Sequence, residues 1–523
     1  MADTYDVIIC GAGSGGGFLA GEIAANASLL ILDAGPAWAA KPNPGHGSPG
    51  RREISTQMNL GTYAPDGVNA KGAGSVFFAH PIYMDASNPS LSAVQREPRI
   101  VGGGSQINAG AWLRPHRADF DDFAAETGVE GWTRDDFDPF FLRAEEILHV
   151  HRNKREHWNR ASRLYDEAAR ELGIPVIETA SNRHNCIFCG HRLNAGMPCK
   201  YDALMSTAMT QIPKAVEAGA VLHDNATVVR ILVENNKATG VVYSRNGETI
   251  TAYARKLVVA AAGAIGTPAL LFDSGVSARN RNAGKWLRAH PGIGMDAIMP
   301  GAEDWGNERG YQWNLHHYVK DGDGNHIDTV VHASSNFNST TSWAAAQIGF
   351  FGKAYKDLMR RNRQKVGAFL FQLKPNMSGE VIGGVSKPVL LYRVADTSGL
   401  LEPKTMNDFL WGVRTVADVY RRLGAVSIFP NPDQPLALLK RQLTQLVVNA
   451  NALHPQSTCR AAKDRSLGVV DANCMSFDVD NLMCCDASVI PHHISSNPNA
   501  MIMAVAARAG KFVNEQILDR RSA

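Results

Sequence analysis

The sequence predicts an α/β protein that combines a Rossmann-like dinucleotide-binding domain with a second domain. Three observations support this prediction: a glycine-rich turn between two apolar runs near the N-terminus, further glycine-dense blocks along the chain, and a length of 523 residues. A chain of this length exceeds what one hydrophobic core usually supports, so two domains are expected. Because the glycine blocks are far apart in sequence, the two domains can be interleaved.

The first element is a strand, turn, helix and second strand at the N-terminus. The apolar run Tyr5–Cys10 precedes GAGSGG, and LLILDAG follows with an acid at Asp33. In this pattern Gly11 makes the tight turn, Gly13 lets a pyrophosphate approach the backbone, and Gly16 lets helix and strand pack closely. Asp33 can bond a ribose hydroxyl. The pattern predicts a dinucleotide site but does not separate FAD from NAD.

Two further glycine-dense blocks follow. Residues 99–123 read RIVGGGSQINAGAWLRPHRADFDDF, whose glycines form either a solvent turn or a loop where backbone approaches a ligand. Residues 258–275 read VVAAAGAIGTPALLFDSG, which predicts an apolar strand, a small-residue turn and a helix with Pro268 near its first turn. The sequence between these blocks predicts successive strands joined by Asn-containing turns.

Composition is that of an ordinary globular protein, with 45% hydrophobic and 20% charged residues. The formal net charge is +3 and no Lys or Arg run stands out, so neither nucleic acid nor a membrane surface is predicted as a partner. No signal-peptide pattern and no apolar stretch of about 18 residues is evident. The 8 cysteines include the adjacent pair Cys484 and Cys485, which fits reduced thiols. We therefore expect a cytoplasmic location.

The glycine blocks, together with HPQSTCR and DNLMCCDASVIP…NPNAMIMAVAARAG near the C-terminus, resemble the glucose–methanol–choline (GMC) flavoprotein oxidoreductases. The blocks occur in the family's order and span nearly the whole chain. The resemblance implies FAD rather than NAD, and a substrate domain built on an antiparallel sheet with helices. It also implies five segments: FAD domain 1–150, connecting and substrate segment 151–204, FAD domain 205–295, substrate domain 296–447, and FAD domain with catalytic residues 448–523.

The resemblance assigns cofactor-binding positions to Gly11, Gly13, Gly16, Asp33, Gly103, Ser105, Asn108, Ala109, Val228, Asp486, Ala487 and Pro498. Val228 falls where the family contacts adenine through the backbone, and Asp486 resembles an acid near the ribityl and pyrophosphate. Some relatives attach FAD covalently through a histidine at the place of Ile107. Because isoleucine has no nucleophilic nitrogen, we expect FAD to be bound non-covalently.

The family pairs a catalytic histidine with a second His or Asn, and these positions match His454 and Asn497. Hydride transfer from an alcohol carbon to flavin N5 requires the hydroxyl proton to leave, and an imidazole is a suitable general base near neutral pH. An amide can orient the alcohol oxygen without competing for the proton. His492 and His493 precede the aligned position and are expected to be wall or surface residues.

A cysteine-bearing segment, HNCIFCGHRLNAGMPC, contains Cys186, Cys189 and Cys199. Zinc or an iron–sulfur cluster is one interpretation. Only one close pair of ligands is clear, however, so a cysteine-bearing loop without metal is favoured and no metal ligand is assigned.

The expected substrate is a small alcohol, with a polar, ring-containing one such as a sugar or amino sugar favoured. The aromatic residues that could stack on such a ring are Trp305, Tyr311, Trp313, Trp343 and Trp411. The electron acceptor is oxygen or another compound. Two alternatives remain open: a flavin-retaining lyase of the hydroxynitrile-lyase type, and a metal-containing electron-transfer dehydrogenase.

Overall fold

The computed structural model describes residues 3–37, 77–83, 92–158, 160–174, 176–187, 202–276, 281–300, 313–320, 326–334, 352–353, 366–374, 377–392, 398–449 and 453–518. The strands in chain order are β1 Thr4–Cys10, β2 Leu29–Leu32, β3 Phe77–Tyr83, β4 Ser92–Pro98, β5 Ala111–Trp112, β6 His151–Arg152, β7 Ile177–Glu178, β8 Ala180–Ser181, β9 Val221–His223, β10 Ala226–Glu234, β11 Lys237–Arg245, β12 Glu248–Ala260, β13 Arg288–His290, β14 Gly292–Ile298, β15 Trp313–Lys320, β16 His326–Ser334, β17 Val366–Leu373, β18 Glu380–Ile382, β19 Val389–Leu391, β20 Ser427–Phe429, β21 Leu453–Gln456 and β22 Leu482–Cys484.

The α-helices are α1 Gly16–Ile23, α2 Gly103–Ile107, α3 Arg117–Thr127, α4 Arg134–Ile147, α5 Arg160–Glu171, α6 Gln211–Glu217, α7 Gly263–Asp273, α8 Pro403–Arg422, α9 Leu436–Asn449 and α10 Asn499–Phe512. Short 3₁₀ turns lie at Ala24–Asn26, Arg155–His157 and Ala487–Val489, and a π-helical stretch follows α10 at Val513–Leu518. Among the helices within the described ranges, none combines the length and the apolar character that crossing a membrane requires.

The cofactor domain is built on a seven-stranded sheet with the order β10-β11-β12-β1-β2-β9, to which β22 adds by pairing with β12. The pairs β12-β1, β1-β2, β2-β9 and β12-β22 are parallel. Parallel strands are covered on both faces, which explains why Leu29–Leu32 reads as an unbroken apolar run and is fully buried. The strand–turn–helix–strand prediction at the N-terminus is therefore confirmed.

The second domain is built on a six-stranded antiparallel sheet with the order β20-β14-β17-β16-β15-β7. The long helix α8 shares a second hydrophobic core with α9 and β14. This helix begins at Pro403, and the Glu402 carboxylate accepts hydrogen bonds from the backbone N–H groups of Lys404 and Thr405 at 3.1 and 3.0 Å. The predicted substrate domain with an antiparallel sheet and helices is present.

Segment boundaries differ in detail from the predicted ones. The boundary at residue 295 falls inside β14, which pairs with β17 along its whole length from Gly292 to Ile298, so this boundary is misplaced. In addition, β3 and β4 from the first segment join β18 and β19 in a four-stranded sheet. Hairpins that pair with distant strands leave no local signal in the sequence. The five-segment division otherwise stays a prediction.

One buried acid lies within the substrate domain. Asp296 on β14 is 2% exposed, and its Oδ1 atom has no hydrogen-bond partner among the described residues. Burial raises the pKa of this carboxyl to about 7. Since the folded protein holds the proton more tightly than the unfolded chain, the unfolded state binds fewer protons between about pH 4 and 7. Asp296 therefore lowers stability as pH rises through that interval.

We predict that Asp296→Asn stabilises the protein at pH 8 and has little effect at pH 4. The cost of ionising buried Asp296 grows by up to about 1.4 kcal/mol for each pH unit between about pH 4 and 7. The amide of the variant does not ionise, so it avoids this cost. Thermal unfolding of wild type and variant at both pH values measures this difference. An equal change in melting temperature at pH 4 and pH 8 would contradict it.

Candidate active site

The glycine turn after β1 is shaped by backbone contacts within the chain and is open at one position. Gly11 has φ +114°, and a Cβ there would lie 2.1 Å from the Ala261 carbonyl oxygen. A Cβ at Gly16 would lie 2.1 Å from the Gly11 oxygen. A Cβ at Gly13, by contrast, would meet only the Cα of Gly103 at 3.9 Å. Gly11 and Gly16 are thus required by the fold, and Gly13 keeps the turn open for a ligand.

Asp33 connects the end of β2 to this turn. Its Oδ2 accepts a hydrogen bond from the Ala12 backbone N–H and its Oδ1 one from the Gly35 N–H, both at 2.8 Å. Burial raises the pKa of the carboxyl, which the two backbone donors oppose. Each oxygen has a further lone pair. The predicted ribose contact is compatible with this arrangement, although the carboxylate also has a structural task.

The second glycine block lies against the first. The Gly102 N–H donates to the Ala12 oxygen at 2.9 Å, and a Cβ at Gly103 would lie 2.9 Å from the Gly13 Cα. A Cβ at Gly104 would meet no atom within 4 Å. The Ser105 hydroxyl is turned inward and donates to the Gly102 oxygen at 2.6 Å. The open surface of this block therefore lies at its glycines rather than at the Ser105 side chain.

The residues after this block bond to the chain itself. Asn108 Oδ1 accepts a hydrogen bond from the Gly110 N–H at 2.9 Å, which fixes the turn. The Ala109 carbonyl oxygen accepts from Arg183 Nε and Nη2, both at 3.3 Å. Val228 lies in β10 opposite Tyr243 and is partly buried. These positions border the predicted cofactor site, and the first two hold the loop in place.

Asp486 joins the C-terminal segment to α7. Its Oδ2 accepts from the Gly263 N–H at 2.9 Å and from the Thr267 hydroxyl at 2.5 Å, and its Oδ1 accepts from the Ser488 N–H at 2.7 Å. Burial raises the pKa of the Asp486 carboxyl, and the hydrogen bonds from these donors partly oppose that rise. The neighbouring Ala487 accepts the Ser457 N–H through its carbonyl at 3.1 Å. Asp486 therefore fixes the relative position of two segments that border the cofactor site.

The N-terminus of α10 has backbone donors that no described side chain caps. Pro498 precedes the helix, no side chain caps it, and the first helical hydrogen bond runs from the Ile502 N–H to the Pro498 oxygen. Asn499 Oδ1 accepts from the Ser14 hydroxyl of the glycine turn at 2.8 Å, while its buried Nδ2 has no partner among the described residues. Uncapped amides and the positive end of the helix dipole favour a negatively charged group.

These features fit FAD. The open glycine positions can receive a pyrophosphate, as expected for a strand–turn–helix unit. The α10 amides and the unpaired Asn499 Nδ2 can donate to the polar edge of a flavin ring. The residues that would hold the cofactor are Gly13, Asp33, Gly103, Gly104, Asn499 and the first turn of α10.

His454 is positioned by a bulge in β21. Arg288 in β13 lies opposite Gln456 in β21, and His290 lies opposite Leu453. Two residue steps along β13 therefore correspond to three along β21. The extra residue lies in β21, where His454 has φ +61°, a conformation rare for residues other than glycine. Bulges of this kind redirect a side chain and are frequent beside active sites.

A chain of hydrogen bonds fixes the proton positions on His454. The fully buried His290 places Nε2 at 2.8 Å from the Ile494 carbonyl oxygen, which can only accept, so Nε2 carries the proton. In the neutral tautomer that carries this proton, His290 presents a lone pair at Nδ1. His454 Nδ1 lies 3.1 Å from that atom and therefore donates to it. The lone pair of His454 is then on Nε2.

Asn497 lies beside that lone pair. Its Nδ2 is 3.4 Å from His454 Nε2, a long contact, and its buried Oδ1 has no partner among the described residues. The two predicted catalytic side chains are therefore brought together, as the sequence indicated. His290 was not assigned a role from the sequence. The WLRAHP stretch resembles a family motif, which was the available signal for it.

His493 is a wall residue and not a surface residue. Its side chain is fully buried, its ring centroid lies 4.4 Å from that of His290, and neither ring nitrogen has a hydrogen-bond partner among the described residues. Burial is the largest cause that keeps its pKa well below the usual value, and the nearby charges of Arg288 and Lys374 act in the same direction. Burial likewise lowers the pKa of His492 to about 3. Both rings are therefore neutral.

A buried ion pair anchors the loop that carries Asn497. Asp119 Oδ1 accepts from the Ser495 N–H at 2.9 Å and Oδ2 accepts from the Ser495 hydroxyl at 2.7 Å. Lys374 Nζ lies 3.0 Å from Asp119 Oδ1, and both side chains are buried. The sequence did not single out these residues, because they are far apart along the chain. The contact connects the first segment, the substrate region and the catalytic loop.

Several predicted features cannot be placed at this site. Cys189, Cys199, Trp305, Tyr311 and Trp343 lie outside the described residues. Cys186 is partly buried, and the described part of the chain contains no group of three or more acidic, His or Cys side chains that could hold a metal ion. Trp313 lies in β15, and Trp411 in α8 is 37% exposed.

Comparisons with known proteins identify the family to which the chain belongs. The GMC oxidoreductase family models match residues 44–292 and 390–506. An oxygen-dependent choline dehydrogenase of Photobacterium profundum is 24% identical over 98% of this chain and 93% of its own. An ecdysone oxidase of Spodoptera littoralis is 24% identical over 99% of this chain and 92% of its own.

Among solved structures, pyridoxine 4-oxidase from Mesorbium loti superposes with a TM-score of 0.71 at 19% identity, covering 98% of this chain and 99% of the other. This likeness shows a shared fold. Since the family matches cover most of the chain, it belongs to the GMC oxidoreductase family and is an FAD-dependent oxidoreductase that acts on CH–OH donors.

Proposed function

We propose that this protein oxidises a small alcohol to a carbonyl compound with His454 as the general base. The observation that carries the proposal is the hydrogen-bond chain that leaves a lone pair on His454 Nε2, beside the Asn497 amide. When bound, FAD supplies the hydride acceptor at flavin N5. The residues of the chain then have two tasks, which are removing the hydroxyl proton and orienting the alcohol.

His454 Nε2 accepts the hydroxyl proton as the C–H bond breaks. The resulting imidazolium keeps its Nδ1–H directed at the His290 Nδ1 lone pair, so the positive charge gains a hydrogen-bond acceptor. His290 itself is held by the Ile494 carbonyl and is fully buried, so its ring does not need to reorient. A third group that fixes the tautomer of a catalytic histidine follows the logic of a catalytic triad.

Asn497 orients the alcohol oxygen. Its buried Oδ1 has no partner among the described residues and can accept a substrate hydrogen bond, while Nδ2 can donate one. An amide does not take up the proton, so it does not compete with His454. The Asp119 contact to Ser495 keeps this loop in register with the base.

The substrate and the acceptor are proposed at the level of chemical class. The names of these relatives cite choline, ecdysone and pyridoxine, all of which carry hydroxyl groups. These names support a polar alcohol, and a ring-containing one such as a sugar or amino sugar is favoured. Oxygen or another compound accepts the electrons. The cytoplasmic location stays a prediction.

We expect His454→Gln to slow anaerobic flavin reduction by an alcohol substrate by about 100-fold or more, because a general base contributes on that scale. Stopped-flow absorbance of the flavin measures the rate. His151→Gln, which alters an exposed histidine, is the matched control and should reduce at the wild-type rate. Near-normal reduction in the His454 variant would remove this residue from the role of base.

Non-covalent binding of FAD is the second expectation. Ile107 ends α2 beside the glycine block and offers no nucleophilic nitrogen. Acid precipitation should therefore release the flavin into the supernatant, where its absorbance gives the released fraction. Yellow colour that stays with the precipitate would show a covalent link through another residue.

A further inference from the structure

Arg288 is a buried guanidinium close to the catalytic histidines. It is 7% exposed, and its one hydrogen bond to the described residues runs from Nη1 to the Met377 carbonyl oxygen at 3.0 Å. In the described part of the chain, no carboxylate forms an ion pair with it. Burial lowers the pKa of the guanidinium, as expected for a charge removed from water without a counter-ion.

Other buried cations near the site have partners that Arg288 lacks. Lys374 pairs with Asp119 at 3.0 Å. Arg460 stacks on the Trp286 ring at 3.6 Å and lies 3.8 Å from a Glu126 oxygen. A guanidinium has five N–H donors, and Arg288 uses one of them on the residues that the structure describes. The remaining donors can receive an anionic group from outside.

Arg288 lies on the same face of β13 as His290. The extra residue of this strand pair is in β21, so side chains alternate along β13 and positions two apart share a face. Two strand steps separate their Cα atoms by about 6.6 Å. His290 contacts both His454 and His493, so this face of β13 is directed at the catalytic pair.

Two neutral rings lie beside this face of β13. The His493 ring centroid is 4.4 Å from that of His290, His492 is its neighbour in the chain, and the Arg288 charge helps to lower the pKa of both rings. His492 Nδ1 and both ring nitrogens of His493 are buried and have no hydrogen-bond partner among the described residues. Buried polar atoms are normally paired, so these atoms point to a ligand that completes them.

We propose that Arg288, with His492 and His493, binds the carboxylate of the alcohol substrate. The planar guanidinium matches a carboxylate through two parallel hydrogen bonds, and each neutral imidazole can add one donor. The reacting hydroxyl then lies at His454 and the carboxylate several bonds away, toward Arg288. The substrate class is a hydroxy acid in which a ring or chain separates the two groups. This assignment rests on the proposed alcohol oxidation.

The test uses purified holoenzyme and two paired alcohols, benzyl alcohol with 4-(hydroxymethyl)benzoate and glucose with gluconate. In wild type, the anionic member of a pair should reduce the flavin at lower concentration than its neutral partner. Arg288→Gln should raise the apparent KM for the anionic member by about tenfold or more, which is the scale of one charged hydrogen bond. The apparent KM for the neutral member should change by less than about threefold.

Arg117→Gln is the matched control, since that arginine has a 66% exposed side chain. This variant should leave the apparent KM for both the neutral and the anionic alcohol unchanged. If Arg288→Gln retains no FAD, Arg288→Lys keeps the charge but loses the planar pair of donors, and it should give an intermediate KM for the anionic alcohol.

A binding measurement separates this inference from the proposed function. Benzoate, added to the oxidised wild-type holoenzyme, should perturb the flavin absorbance and compete with the reacting alcohol, and Arg288→Gln should weaken its binding by about tenfold or more. If alcohols reduce the flavin but benzoate does not bind and neutral and anionic alcohols react alike, the Arg288 assignment is wrong. If benzoate binds through Arg288 and no alcohol of either kind reduces the flavin, the oxidation proposal fails.

Discussion

The contact between His290 and His454 is the constraint on which the chemistry depends. Two imidazole rings share one hydrogen bond between their Nδ1 atoms, and only one of them can donate it. The Ile494 carbonyl decides which, because it requires a proton on His290 Nε2. A backbone carbonyl that cannot titrate therefore determines which ring donates and which accepts in this series of hydrogen bonds. In the proposed reaction, this leaves a proton acceptor at His454 Nε2, beside Asn497.

The fold maintains this arrangement through three connections between distant segments. The bulge in β21 puts His454 in a left-handed backbone conformation, which its pairing with β13 maintains. Asp486 fastens the C-terminal segment to α7. Asp119 and Lys374 connect the catalytic loop to both domains. A small shift in any of these would move the base relative to the site where FAD fits, and geometry of this kind is costly to lose.

The sequence was sufficient for features that are local. The glycine turn and the following helix depend on residues a few positions apart, and the predicted strand, turn and helix are present. His454 and Asn497 were predicted from motifs, and the structure brings them to 3.4 Å.

Other features depend on contacts between residues far apart, which spacing does not reveal. His290 and His454 are 164 positions apart, and Asp119 and Ser495 are 376 apart. His493 was expected on the wall or surface, but burial against His290 removes it from solvent. The predicted cofactor role of Ser105 rested on its position in a motif, and the hydroxyl proves to bond inward to Gly102. Motif position therefore identified the segments, but not the task of each side chain.

The most direct measurement is the tautomeric state of His454 in the oxidised holoenzyme, by NMR of protein labelled with ¹⁵N at histidine. The His454→Gln and His290→Gln variants would assign the two ring systems. The account predicts a neutral His454 with its proton on Nδ1 and a neutral His290 with its proton on Nε2. A His454 ring protonated at Nε2, or doubly protonated at neutral pH, would leave no lone pair for the hydroxyl proton and would contradict the account.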